Sequence, residues 1–159
     1  MRFAGGAHGA QLVALELGGE VYGIEISHIQ EILRIQLTRS LPDASPYIDG
    51  ITNVRGNVLP VLDLRKRLGM AVSPHTHQSR LVVTDVGVQT VALVVDGVTE
   101  ILTVPTDDID QPEGIMAQTD DGLVIGVARV DGRMVIVLDP LAILPAPAAR
   151  PASEFAGVR

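Results

Sequence analysis

The stretch PYIDGITNVRGNVLPVLDLRKRLG, residues 46 to 69, decides how the rest of this chain is read. Ile51, Val54, Val58, Val61 and Leu62 flank Asn53-Val54-Arg55-Gly56-Asn57, the pattern of two strands joined by a tight turn. Gly56 supplies the positive φ such a turn needs, and Arg55 stands at its tip. Asp63 then precedes Leu64-Arg65-Lys66-Arg67-Leu68, so a carboxylate sits where a helix N-cap wants one. Basic residues follow where the end of a short helix favours them, and Gly69 is suited to stop it.

The stretch returns downstream in altered form. Shifted by 76 positions, Gly50 falls on Gly126, Val54 on Val130, Gly56 on Gly132, Val61 on Val137, Leu62 on Leu138, Asp63 on Asp139 and Leu68 on Leu144. Shifted by 69, residues 13–35 fall on 82–104, with Gly18 on Gly87 and Glu31-Ile32-Leu33 on Glu100-Ile101-Leu102. Both halves run hairpin, Glu-Ile-Leu, second hairpin, Asp-led turn, which predicts two tandem copies of one β unit. Gly18-Gly19 and Gly87-Val88 close the leading hairpins. In the first copy Ser27 stands as an N-cap before Gln30, with Ile29, Ile32 and Leu33 on one face, which predicts a short helix over 27–34. Its counterpart, Asp96-Gly97-Val98-Thr99-Glu100, carries glycine and β-branched residues and is expected to turn and continue as strand. The expected fold is all-β: two five-stranded barrels, at about 11–72 and 79–144, with a few short helices.

At 159 residues, 47% hydrophobic, the chain is long enough to bury a sizeable core. Nineteen acidic against 12 basic residues give a net charge of −7, and aromatics make up 3%. That composition argues against a nucleic-acid partner, which needs clustered cations and stacking rings. There is no cysteine, hence no disulfide framework and no thiolate site, as suits a reducing cytoplasm. No run approaches the length of a membrane helix and no secretory h-region opens the chain, so a soluble cytoplasmic protein without direct membrane insertion is expected. Residues 1–10 are Gly- and Ala-rich and expected to be flexible; residues 145–159, rich in Pro and Ala, are expected to be disordered.

Together QEILRI, TRSLP, PYIDGITNVRGNVLPVLDLRKRLG, VALVVDGVTEIL and GRMVIVLDPLAIL resemble the CheW family of bacterial chemotaxis coupling proteins over residues 11–144. The resemblance implies two SH3-like five-stranded β-barrels and an adaptor without catalysis or cofactor. Its implied partners are the cytoplasmic signalling tips of chemoreceptors and the regulatory domain of a CheA-type sensor histidine kinase. Ile29, Glu31, Val54 and Arg55 fall at the receptor-binding positions, and Leu37, Thr38 and Arg39 at the kinase-binding ones. The segment from Ile109 to Ile115 departs from the family pattern: Gly114 and Ile115 stand where some members place an aromatic used between neighbours in the signalling array.

Chemical alternatives are weaker on the residues. His75 and His77 alternate in one loop but lack a third ligand beside them. Asp107, Asp108, Asp110 and Glu113 are broken out of a calcium-loop register by Pro112 and Gly114. Asp63 and Asp139, the duplicated acids, read as caps rather than as an aspartic dyad. A small-ligand-binding barrel or a barrel hydrolase using these acids is the alternative class. Arg55 is the residue that local structure does not explain. Copy two has Asp131 before Gly132, a favoured turn pair, whereas arginine has no such preference, so either a partner contact or a bridge to Glu31 or another internal acid holds it there. The two roles are compatible. The neighbouring apolar residues Ile35, Leu37 and Leu41 cannot all point inward from one strand, so apolar surface is expected near Leu37.

Overall fold

A computed structural model describes residues 9–42, 44–111 and 122–144. The expectations for the N-terminal arm up to residue 8, for the tail 145–159 and for Pro112 to Ile115 lie outside the described residues. The strands are β1 (Ala10–Leu17), β2 (Glu20–Glu25), β3 (Ile29–Arg34), β4 (Ile48–Val54), β5 (Asn57–Asp63), β6 (Arg80–Asp85), β7 (Thr90–Val95), β8 (Gly97–Val104), β9 (Ile109–Asp110), β10 (Val124–Val130) and β11 (Arg133–Leu138). One α-helix, α1 (Leu64–Arg67), and three single 3-10 turns complete the described elements. The fold is all-β, in two SH3-like units.

The copies are equivalent, and they exchange hairpins. One sheet runs β3-β6-β7-β5-β4 and the other β8-β1-β2-β11-β10-β9. Applying the shifts of 69 and 76 residues turns the first, five-strand order into β8-β1-β2-β11-β10, to which the second sheet adds β9. The registers obey the same rule: parallel Val61↔Ala92 maps on Val137↔Gly23, and antiparallel Ile29↔Thr84 on Val98↔Leu15. The expected division into barrels at 11–72 and 79–144 is therefore corrected. Each sheet takes its leading hairpin from one copy and its remaining strands, three in one sheet and four in the other, from the other copy, because the chain changes sheets between β2 and β3 and again, across Asp96 alone, between β7 and β8.

The largest apolar cluster lies between the sheets and draws on both, with Leu15, Leu17 and Ile24 packed with Leu62, Leu93 and Leu138. Each such fully buried side chain contributes about 1.5–3 kcal/mol relative to exposure. Smaller clusters fill the individual sheets. The duplicated glycines mark close approaches: a Cβ on Gly50 would lie 2.0 Å from the Arg39 carbonyl oxygen, and one on Gly126 2.6 Å from Ile109. Each glycine sits at a register shift where a crossing segment pairs, Arg39 with Ile51 in one unit and β9 with β10 in the other.

The helix expected over 27–34 is not formed. A 3-10 turn at Ile26–His28 leads straight into β3, and the Ser27 hydroxyl donates to Glu25 instead of capping. Apolar residues 29, 32 and 33 imitate helical spacing because Ile32, on the outward face of an alternating strand, is an apolar residue that lines the cleft; β3 also carries a bulge, Ile29 facing Thr84 and Glu31 the next residue back, Val83. Past the bulge, Leu33 turns to the core and Ile32 outward. The second copy continues as strand β8, as expected.

Asp63 caps α1, accepting from the Arg65 amide at 3.0 Å, and Gly69 follows the helix at φ +75°. Asp139 does the same for the 3-10 turn Pro140–Ala142, accepting from the Leu141 amide at 2.9 Å. Main-chain bonds Asp63 N to Tyr47 O and Asp139 N to Leu123 O, 76 residues apart at both ends, place the two caps identically.

Candidate functional site: the cleft between the edge strands

β3 and β8 occupy equivalent ends of their sheets and face each other across a cleft of about 520 Å³. Its lining is mostly apolar, through Val13, Ile26, Ile29, Ile32, Val98 and Ile101, the last four being two pairs related by the repeat. Ile32 and Ile101 are exposed at 42% and 56%, a cost in apolar hydration that the fold alone does not explain. Glu31 and Glu100 stand on the same two strands at the margin of the cleft.

Arg55 reaches Glu31 from the tip of the β4–β5 hairpin. Its Nε donates to both carboxylate oxygens, at 2.9 and 3.1 Å, and Nη2 donates to Oε1. These hydrogen bonds, with the guanidinium charge behind them, hold the Glu31 carboxyl below its ordinary range and raise Arg55 above its own. The bridge foreseen as one reading of Arg55 is thus present, while three quarters of the arginine side chain stays open to solvent. Arg55 has φ +52° and Gly56 φ +87°, so a non-glycine residue occupies the left-handed region. Asn53 steadies the turn by accepting from the Gly56 amide at 2.9 Å. The equivalent Asp131 also has positive φ, at +51°, and it is a residue type that tolerates it.

The sequence-expected residues fall into two groups. Ile29 lines the cleft; Val54 is 7% exposed and lines a neighbouring recess together with Glu31 and Arg55. Leu37, Thr38 and Arg39 do not line the cleft; Arg39 pairs with Ile51, and Leu37 and Arg39 line a second recess whose Val58 also borders the recess of Glu31 and Arg55. That segment is irregular rather than a strand. It is pinned by polar side chains: the Thr52 hydroxyl donates to the Leu37 carbonyl at 2.7 Å, and Gln36 donates to Thr52 at 2.9 Å. Leu37 is held outward, 89% exposed, beside Val58 at 61%. Leu41 is exposed as well, and Ile35 packs on the inner cluster.

Two features escape the residue pattern. Arg65, which reads as one of the basic residues at the end of a helix, is buried: it donates to Asp63 and to Asp96, whose other oxygen accepts from the Gly18 amide. The second is a bridge from Arg133 to Glu100 at 3.3 Å. Its one sequence signal is Glu100 matching Glu31 in the repeat. For the chemical alternatives, Asp63 and Asp139 are both engaged as caps, and no three His, Cys, Asp or Glu among the described residues come together to hold a metal. No described helix is long and apolar enough to cross a membrane.

Comparison with known proteins agrees with this architecture. A chemotaxis protein CheW of Rhizobium meliloti is 31% identical over 137 residues, covering 86% of this chain and 88% of the relative. One of Bacillus subtilis is 29% identical over 137 residues, with 86% and 87% covered. The crystal structure of the scaffolding protein TtCheW from Thermoanaerobacter tengcongensis superposes with a TM-score of 0.81 at 28% identity, covering 87% of this chain and 94% of that one. The model of the CheW-like domain matches residues 11–148, and the chain belongs to that family as a chemotaxis coupling adaptor.

Proposed function

We propose that this adaptor joins chemoreceptor signalling tips to the regulatory domain of a CheA-type histidine kinase, by binding alone and without turnover. The receptor tip lies in the cleft, with apolar residues against Ile29 and the edge of Val54 and polar groups meeting the Glu31–Arg55 pair. The kinase domain covers the separate patch at Leu37, Thr38 and Arg39. Bound to both, the chain sits with the receptor array at the inner face of the membrane.

The observation that carries this reading is Arg55: left-handed, mostly exposed and oriented by Glu31 beside an apolar cleft. An exposed ion pair contributes little to folding, and a planar five-donor head is suited to recognition. The apolar patch at Leu37 supports the second contact, since adaptor interfaces commonly bury an apolar centre. The test is co-sedimentation of the chain with a receptor signalling-tip fragment and, separately, with the kinase regulatory domain. Arg55→Ala is expected to lose the first and keep the second, and Leu37→Asp the reverse. A saturable small-molecule thermal shift with neither protein bound would favour the ligand-binding barrel.

A further inference from the structure

The second wall of the cleft repeats the latch of the first by different means. In copy one the acid Glu31 is held by Arg55, at the turn tip. In copy two the position equivalent to Arg55 is Asp131, a residue suited to the turn, and the position equivalent to Arg133 in copy one is Asn57. Simple inheritance from the duplication would therefore have left Glu100 without an arginine. Instead Arg133, two residues further on at the start of β11, reaches Glu100 at 3.3 Å.

Both members of the second pair are about half exposed, and such pairs add little to stability, so folding does not account for a latch rebuilt at a new position. What the two pairs share is placement. Each acid stands on an edge strand bordering the same apolar cleft, and the cleft floor is itself paired, Ile29 with Val98 and Ile32 with Ile101. Each wall of the cleft carries an acid held by an arginine from outside the lining, Glu31 by Arg55 and Glu100 by Arg133, in a chain whose net charge is −7.

We infer that Arg133, oriented by Glu100, is a second specificity-determining residue of the receptor site, gripping the side of the tip opposite to Arg55. The occupant this geometry takes is an apolar helical ridge flanked on both sides by carboxylate or amide side chains, one flank for each arginine. The inference rests on the receptor reading above.

The test is binding of a receptor signalling-tip fragment by the full chain, measured by titration at two ionic strengths, with thermal melting of each variant. Arg133→Ala is expected to weaken binding about tenfold, to reduce its salt dependence and to leave melting unchanged. The exchanged pair, Glu100→Arg with Arg133→Glu, keeps an internal bridge but moves the cation from β11 to β8, and is expected to bind as poorly as Arg133→Ala. Native affinity in the exchanged pair would show a bridge that serves only the fold, and native affinity in Arg133→Ala would remove the second wall from the site. If Arg133→Ala melts early, Arg133→Gln, which keeps a long polar side chain without the charge, decides: reduced affinity with a normal melt supports the inference, and native affinity overturns it. Loss on Arg55→Ala alongside native binding by Arg133→Ala sinks the second wall alone, whereas failure of the unaltered chain to bind the tip sinks the receptor reading and this inference together.

Discussion

Asp63 holds Arg65 through both carboxylate oxygens, at 3.0 and 2.9 Å, with both side chains 2% exposed. The bonds from Asp63 raise the Arg65 pKa despite burial, so the guanidinium stays charged in the interior. In the repeat, Asp139 keeps the cap, but Leu141 stands in place of Arg65.

Equivalent substitutions should therefore have unequal effects. Asp63→Ala leaves a buried cation with only Asp96 and a carbonyl, and is expected to cost about 3–5 kcal/mol. Asp139→Ala removes a cap alone, about 1 kcal/mol, or a melting shift of about 2–4 °C in a chain of this size. Urea unfolding of the two variants measures the difference, and equal losses would refute the role given to Arg65.

The exchange of hairpins between copies predicts mutual dependence. Cut between residues 76 and 77, neither half can complete a sheet, because β1 and β2 need β8 and β11 while β6 and β7 need β3 and β5. Each fragment alone is expected to lack dispersed amide signals, and an equimolar mixture to regain those of the intact chain. A half that folds by itself would contradict the observed pairing.

Much of this fold is legible in the residues, and what is not legible has physical causes. The gapless match of 50–68 to 126–144 locates both hairpins, both caps and the duplication, since turn glycines and capping acids act locally. Strand exchange is not legible: the same strands in the same order satisfy either pairing until their partners are known. In β3 the exposed Ile32, apolar on the outward face, disguises alternation as helical spacing. Arg65 looks like a surface cation because its partner Asp96 lies 31 residues away. Arg55 stands out because it disregards the turn chemistry that Asp131 follows, whereas Arg133 sits in an ordinary strand position and gives no such sign.

Acid should open the latch only at low pH. Glu31 has a folded pKa lowered from 4.5, first by the Arg55 hydrogen bonds, so the pair is fully present above the ordinary carboxylate value and is lost as pH falls through the depressed one. Receptor affinity is expected to be flat from about pH 8 to 5 as far as Glu31 is concerned. A carboxyl-carbon NMR titration should show Glu31 titrating below 4.5 in the native chain and moving back up in Arg55→Ala. An unchanged midpoint in that variant would deny the pairing.

Leu37→Asp exchanges an 89% exposed leucine for a charge, so its folding cost should stay within about 0.5 kcal/mol. Kinase-domain affinity should fall at least tenfold if Leu37 lies at the centre of that contact. Isothermal titration with the kinase regulatory domain decides, and native affinity would remove this patch from the adaptor's surfaces.

If Arg55 is kept for a partner rather than for the fold, Arg55→Gly separates the two roles. Glycine relaxes the left-handed turn at φ +52° while deleting the guanidinium. The measurement is receptor-tip affinity of Arg55→Gly set beside its melting temperature: the prediction is a melting temperature equal to or above that of the native chain with affinity reduced about thirtyfold. A lowered melting temperature with native affinity would contradict it.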